Sequence, residues 1–428
     1  MPAPCPECIR SCSWTRYGSC ARNSAHCVTH CVSVEPLIEK GTPAFRRACL
    51  ALILASLVVF ANLYAIHPLL PLIAETFQIT SLQASSVFTL TNLTLACSLL
   101  VHGPLSDAIG RKGPLLAGIT ATLVLNLAMA YTTDYSLLLW LRAALGICLG
   151  VLPAVAIAYL GDSMSRKAMV AAVGLYIAGN TVGGAGGRLA GGFIGEHLGL
   201  QAVFLSLAAF TLLGLICVAI LLPRPAGFLP QRLSPAGGFQ SFIDHLCNRQ
   251  LLPAFLLGGC NFMIFINLYT YLTFRLSAEP WQLGAGALGL LFLTYLAGTF
   301  SAALSGRLNY GGGLPGMAIG VLLLIGGCLI TLSEQLWLIL AGLLCNAFGF
   351  FLTHSLANAW INQHATHSKA SASSLYSVFY YLGSALGVYY LEPFWRLAGW
   401  PSVVAGSLLV LLINLGLIVY LRRKSFPA

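Results

Sequence analysis

Twelve stretches of about 20 mostly apolar residues follow one another along this 428-residue chain, each long enough to cross the ~30 Å hydrocarbon core of a bilayer. They are drawn at 48–70, 82–102, 113–131, 136–159, 168–190, 200–222, 251–274, 284–305, 314–332, 335–359, 371–391 and 400–421. Apolar residues make up 58% of the chain and charged residues only 8%. An ordinary soluble domain carries about 25% charge. A chain of this size has no interior large enough for so much apolar surface, so the surplus faces lipid. In lipid, only helices or closed barrels satisfy every backbone group. The period-two alternation of barrel strands is absent. The expected fold class is therefore an all-α polytopic membrane protein with twelve transmembrane helices.

The net charge of +10 does not indicate nucleic acid, because the basic residues punctuate apolar runs instead of clustering on one wetted face. They report topology. With both termini placed in the cytoplasm, all but four of the 22 Lys and Arg fall on cytoplasmic segments. The exceptions are Arg275 and Arg396 in outer loops, and Arg142 and Arg188 inside spans. This is the positive-inside asymmetry. The outer loops instead carry single acids: Glu75, Asp134, Glu196, Glu279, Glu334 and Glu392.

The longest internal polar stretch, with four prolines between Pro223 and Pro235, divides the chain. The expected organisation is an N-terminal extension at 1–45, a six-helix half at 46–222 and a cytoplasmic linker at 223–249. A second six-helix half at 250–421 and a basic tail at 422–428 complete it. The halves echo one another. Ala172, Leu175, Tyr176, Gly183, Ala185 and Gly187 recur 200 residues later as Ala372, Leu375, Tyr376, Gly383, Ala385 and Gly387. Internal repeats of this kind mark secondary transporters.

The turn after the second span reads Gly103-Pro104-Leu105-Ser106-Asp107-Ala108-Ile109-Gly110-Arg111-Lys112. It closely resembles the loop signature of the major facilitator superfamily. Gly103 and Gly110 are expected to permit a tight turn and close helix approach. Arg111 and Lys112 hold the loop inside, and Asp107 has Arg111 or a helix N-terminus as candidate partners. The equivalent second-half loop, from Gly306 through Arg307 to Gly312, keeps glycines and a basic residue but lacks the acid. In the fourth span, Arg142 and Gly146 resemble the family's Arg-x-x-x-Gly element. In the fifth, the run from Gly179 to Gly192 resembles the arabinose-efflux and YnfM-like branch, without the proline that many family exporters carry. Gly183, Gly187 and Gly191 form a small-residue stripe for close helix packing or sliding, and so are gating candidates. Arg188 has two candidate partners, Glu196 and an anionic ligand.

The resemblance spans roughly residues 45–421. It implies the major facilitator fold, a bacterial inner-membrane (plasma-membrane) location and proton-coupled efflux of a drug, sugar or metabolite by alternating access. A nutrient symporter or an uncoupled facilitator of the same fold is the alternative. An intramembrane enzyme or receptor-like scaffold is more remote, because no His-Glu-x-x-His or Gly-x-Ser-x-Gly element occurs. No cofactor and no nucleic-acid partner is expected. The expected partners are a small-molecule substrate, protons and the lipid bilayer, with the chain acting as a monomer.

In such transporters the solute sits near the midplane. Polar and aromatic span residues are the lining candidates: Asn62, Tyr64, Asn92, Asn180, Asn261, Phe265, Asn267, Tyr295, Tyr376 and Tyr380. No Asp or Glu lies in the middle of a span, so the coupling candidates are Glu75, His67, His354 and a network around Arg142. Ordinary interhelical hydrogen bonding competes for each of these residues.

Of the 14 cysteines, six lie within the first 31 residues, near His26 and His30. Their spacing fits no standard zinc pairing, so no metal is expected, and the tail reads as a disordered extension or one begun at an upstream start codon. The other cysteines read as small packing residues.

Overall fold

The computed structural model describes residues 37–223, 242–308, 313–366 and 369–425. The expectations for the Cys-rich tail through residue 36, for most of the linker and for Asn309 through Gly312 lie outside the described residues. Within them the chain is helical, and the one extended pairing is an isolated bridge between Ile38 and Met164. Among the described residues all cysteines are unpaired, and no group of three or more His, Cys, Asp or Glu is placed to hold a metal ion.

Local chemistry sets the helix ends. The Thr42 hydroxyl accepts from the Phe45 amide and starts α1 (Pro43–Tyr64). Thr80 and Gln83 form a reciprocal capping box at the start of α3 (Ser81–Ile109). Gly110, at φ 102°, stops that helix. A non-glycine residue would be strained there. The short α2 (Leu70–Thr76) lies between α1 and α3. After α3 come α4 (Lys112–Ala130), α5 (Tyr135–Leu149), α6 (Val151–Ser163) and the long α7 (Arg166–Leu221). The second group comprises α8 (Leu251–Ser277), α9 (Ala285–Leu290), α10 (Tyr295–Leu304), α11 (Leu314–Ile330), α12 (Leu336–His364), α13 (Lys369–Ala398) and α14 (Trp400–Ser425).

Several drawn segments are not single rods. The first is interrupted after Tyr64 by a 3₁₀ turn at His67–Leu69 before α2 resumes. Pro68 and Pro71 lack the amides needed to continue the ladder. The fourth changes from α5 to α6 at Gly150, three residues before Pro153. The eighth divides into α9 and α10 around a 3₁₀ turn, Leu291–Thr294. Conversely, α7 runs through two drawn segments, broken only at Gly199, where φ is 79°.

Nine helices among the described residues are long and apolar enough to cross a membrane, counting α7 once. The helix α11 is a shorter apolar one. The 30-residue α13 is not among the nine; it carries Tyr376, Ser377, Tyr380 and Tyr381, which line a central cavity.

Packing follows the two groups. α1 lies along α7, α3 along α5 and α4 along α7; in the second group α8 lies along α13 and α14, and α11 along α12. Glycines permit the closest of these approaches. A Cβ on Gly183 or Gly187 would meet the backbone of Leu57 or Ala61 at 2.8 and 2.6 Å. At their repeat-related positions, Gly383 abuts Gly259 and Gly387 abuts Met263 and Asn267 on α8. The sequence echo is therefore also an echo of packing. The groups meet through α13 against α3 and α9 against α7.

Candidate functional site

A cavity of about 260 Å³ lies between the two groups. From the first group α1 contributes Phe60 and Tyr64, and α7 contributes Asn180, Thr181, Gly184 and Arg188. The second group supplies an aromatic wall from α8, α10, α12 and α13. In that wall Phe265 stacks on Phe350 at 3.9 Å, and Phe262 on Tyr380 at 3.7 Å. Each ring thus holds another, so the wall is preorganised by area burial and ring geometry together. His354 Nδ1 and the Tyr376 hydroxyl form a 2.8 Å hydrogen bond across α12 and α13.

Arg188 supplies the one formal charge in this lining, and no Asp or Glu lines the cavity. Its side chain is only 2% exposed. Nη1 donates to Gly184 O of its own helix at 3.1 Å. The guanidinium carbon lies 3.9 Å from the Tyr64 ring centre, 4.5 Å from Phe292 and 4.9 Å from Tyr295. These are cation–π distances. Three buried polar atoms of the lining have no hydrogen-bond partner: Arg188 Nε, Tyr295 Oη and Asn180 Oδ1. Each such group costs about 1–3 kcal/mol while it lacks a partner, and a polar solute in the cavity would supply one.

The end of the cavity near Arg188 is closed. Glu196 Oε2 accepts from the Gly286 amide at 2.6 Å, tying α7 to the start of α9. Gly289 and Gly192 bring these helices close, against Arg188 O and Ala285 O. Beside them His67 Nε2 and Thr270 Oγ1 share a 2.8 Å hydrogen bond between the groups, with His67 stacked 4.5 Å from Phe88. In the other direction a smaller cavity of about 170 Å³ shares Phe60, Asn180, Ser377 and Tyr381 and extends to Gly103. The path from the central cavity thus leads toward the end that bears the 103–112 turn.

The turn itself is an ion-pair cluster. Asp107 pairs with Arg111, whose Nε also donates to Asp162 Oδ2 at 2.8 Å. This fastens the end of α3 to the end of α6. Lys112 Nζ donates to Ala219 O and Leu222 O at 2.9 and 2.6 Å, a cation on helix C-terminal carbonyls. Leu105 is half-buried in the same helix. Gly103 departs from its expected role: it sits inside α3 with open space where a Cβ would be, so Gly110 alone makes the turn.

Tyr64, Asn180, Arg188, Phe265, Tyr295, His354, Tyr376 and Tyr380 come together at the cavity. Asn62, Asn92, Asn261 and Asn267 do not; their side-chain nitrogens donate to helix contacts instead. Asn62 donates to Val58 O and Thr211 Oγ1 and accepts from Asn126. Asn92 donates to Phe88 O, Asn261 to Phe350 O, and Asn267 to Met263 O and Ser384 O. Arg142 is fully buried away from the cavity; Nη1 and Nη2 donate to Asn62 O and Leu63 O at 3.2 and 3.4 Å. These carbonyls lose their helical partners where α1 ends, and a cation suits them. Gly146, one turn on, lets α5 touch Thr91 O. Glu75 is exposed on α2, and Gly183, Gly187 and Gly191 face α1 inside the first group. Glu196, committed to Gly286, forms no ion pair with Arg188.

Phe60, Thr181, Gly184, Phe262, Phe350, Phe351, Asn358, Ser377 and Tyr381 complete the lining and were not legible as site residues. Aromatic residues are equally at home against lipid, so composition carries no sign of the inward face. The one available signal was helical register: Tyr376, Ser377 and Tyr380 lie within one turn, as do Phe350, Phe351 and His354.

The sequence matches the family model described as Major Facilitator Superfamily over residues 52–388. It is 34% identical over 388 residues to the MFS-type transporter YybF of Bacillus subtilis (strain 168), covering 90% of this chain and 96% of that one. It is 35% identical over 389 residues to the inner membrane transport protein YnfM of Escherichia coli (strain K12), covering 90% and 93%. Among solved structures, a bacterial homolog to the human lysosomal transporter Spinster, inward-facing and unoccupied, aligns with a TM-score of 0.73. The alignment has 17% identity and covers 90% of this chain and all (100%) of that one.

Proposed function

The chain belongs to the major facilitator superfamily, whose members are membrane transporters and not enzymes, and from that premise we propose that it exports a small solute across the bacterial inner membrane in exchange for protons. The reading has twelve spans in two six-helix halves, both termini in the cytoplasm, and alternating access to one central site. Gly199 divides α7 into two spans, and α11 and α13 complete the twelve. The linker at 223–249 joins the halves, and the basic residues mark the cytoplasmic end.

One observation carries the reading. The cavity draws its walls from both helix groups, is latched at the Glu196 end and holds partnerless buried polar atoms. In the proposed orientation this is an inward-facing arrangement, with Asp107, Arg111 and Asp162 near the mouth. We assign proton coupling to His354, the one titratable His, Asp or Glu in the lining, held by Tyr376.

The test is proton movement in everted vesicles containing the protein, across a panel of dyes, antibiotics, sugars and organic acids. A compound that dissipates the pH gradient only with the intact protein, and not with His354→Ala, supports coupled export. Solute equilibration in proteoliposomes with no proton movement would replace it with an uncoupled facilitator.

A further inference from the structure

We propose that the transported solute is a small organic monoanion, a carboxylate on a flat apolar body, whose charge is held by Arg188 in the central cavity. This deepens the transport reading and rests on it. An arginine only 2% exposed would ordinarily have a carboxylate beside its guanidinium, because an unpaired buried charge is strongly unfavourable. Arg188 has none. Its one hydrogen bond is to its own helix at Gly184 O, Nε is unpartnered, and no described carboxylate forms an ion pair with it. The nearest candidate along the helix, Glu196, is engaged with the Gly286 amide.

The surroundings hold the guanidinium rather than neutralise it. Tyr64, Phe292 and Tyr295 present their rings at cation–π distance. Gly184 makes room for this: a Cβ there would stand 3.2 Å from Tyr64 Cδ2 and 3.4 Å from Arg188 Nη1. The cavity therefore has a fixed cation at one end and no acid in its lining, so a cationic solute is disfavoured at this site. The remaining wall selects the body of the solute. The rings of Phe262, Phe265, Phe350 and Tyr380 offer flat apolar faces, and the Tyr295 hydroxyl lies free beside the cation as a second donor. At about 260 Å³ the space is slightly below the ~300–1,000 Å³ of drug-sized sites, which limits the solute to a small molecule. One guanidinium and one hydroxyl match a carboxylate; a doubly charged phosphate ester needs more donors than the lining supplies.

Binding separates this inference from transport. The full-length protein in detergent is titrated calorimetrically with 1-naphthoate and with its neutral isostere 1-naphthamide. The carboxylate is expected to bind at least about tenfold tighter, the difference set by a charge-assisted hydrogen-bonded pair. Arg188→Gln is expected to abolish that preference while binding of the amide persists, which also shows that the variant is folded. Arg188→Lys, which keeps the charge but loses the fork, retains part of the preference. Equal affinity for the two probes, or a preference that survives Arg188→Gln, overturns the anion assignment. Vesicle transport of neutral compounds but not of carboxylates also overturns it and leaves the transport reading standing. Selective carboxylate binding without movement of any solute does the reverse.

Discussion

The carboxylate of Glu196 caps the first turn of α9 from the opposite helix group, accepting the Gly286 amide at 2.6 Å. An anion on free amides at a helix N-terminus is favourable, and here the helix and the anion belong to segments 90 residues apart. The bond exists only while this end of the cavity is shut. In the proposed alternating-access cycle it thus contributes to the closed arrangement alone and sets part of the balance between the two states.

Glu196→Gln keeps the shape and weakens the cap. The closed-to-open ratio is expected to fall by about fivefold, from a loss of about 1 kcal/mol. Distance distributions between spectroscopic labels at His197 and Gln282, introduced as unnatural amino acids, would report it as a second, longer distance. An unchanged distribution would mean that apolar contacts at Gly192 and Gly289 hold the end shut unaided.

Asp107→Asn removes one arm of the Asp107–Arg111–Asp162 cluster and leaves the other. The transport rate is expected to drop several-fold with equilibrium solute affinity unchanged, since the cluster lies outside the cavity lining. Initial rates in proteoliposomes, compared with binding in detergent, make the separation. A matching loss of affinity would show that the cluster shapes the site as well.

Arg142→Ala leaves the carbonyls of Asn62 and Leu63 buried without their donor at the end of α1. Stability is expected to fall by about 2–3 kcal/mol, which thermal unfolding in detergent would register as a lowered midpoint. Affinity for solute in the folded fraction should hold, because Arg142 does not line the cavity.

Adjacent glycines give a sharp comparison. A Cβ at Gly187 would stand 2.6 Å from Ala61 Cα, whereas one at Gly186 meets nothing within 4 Å. Gly187→Ala is expected to cost about 1–3 kcal/mol through overpacking of α1 on α7. Gly186→Ala should be neutral or slightly stabilising, by helix propensity. Parallel melting curves decide it; equal midpoints would mean that α1 shifts freely along α7.

The apolar helices, the polar 103–112 turn and the family were legible because their causes are local. A membrane helix is recognised by length and apolarity alone. The breaks at Gly150 and after Tyr64 were present as Gly and Pro residues but not drawn, because apolar content continues across them, whereas the break at Gly199 falls in the gap between two drawn segments. Within the site the reading was divided. Arg188, His354, Tyr376 and Tyr380 stood out as polar groups in apolar runs and do line the cavity. Asn62 and Asn267 stood out equally and are spent on helix contacts, since an amide in lipid needs a partner wherever it faces.

By itself the sequence determined what the bilayer and close packing enforce: apolar length, the glycine turn at Gly110 and the small-residue stripe of Gly183, Gly187 and Gly191, whose partner α1 only the structure supplied. Only the tertiary structure decided which face of each helix turns inward. In a soluble protein the apolar face marks the core, but here lipid and core are both apolar, and that signal vanishes. The choice rests instead on long-range pairing: Arg142 on the carbonyls of α1, Glu196 on the amide of Gly286, and Arg188 left unpaired among aromatic rings.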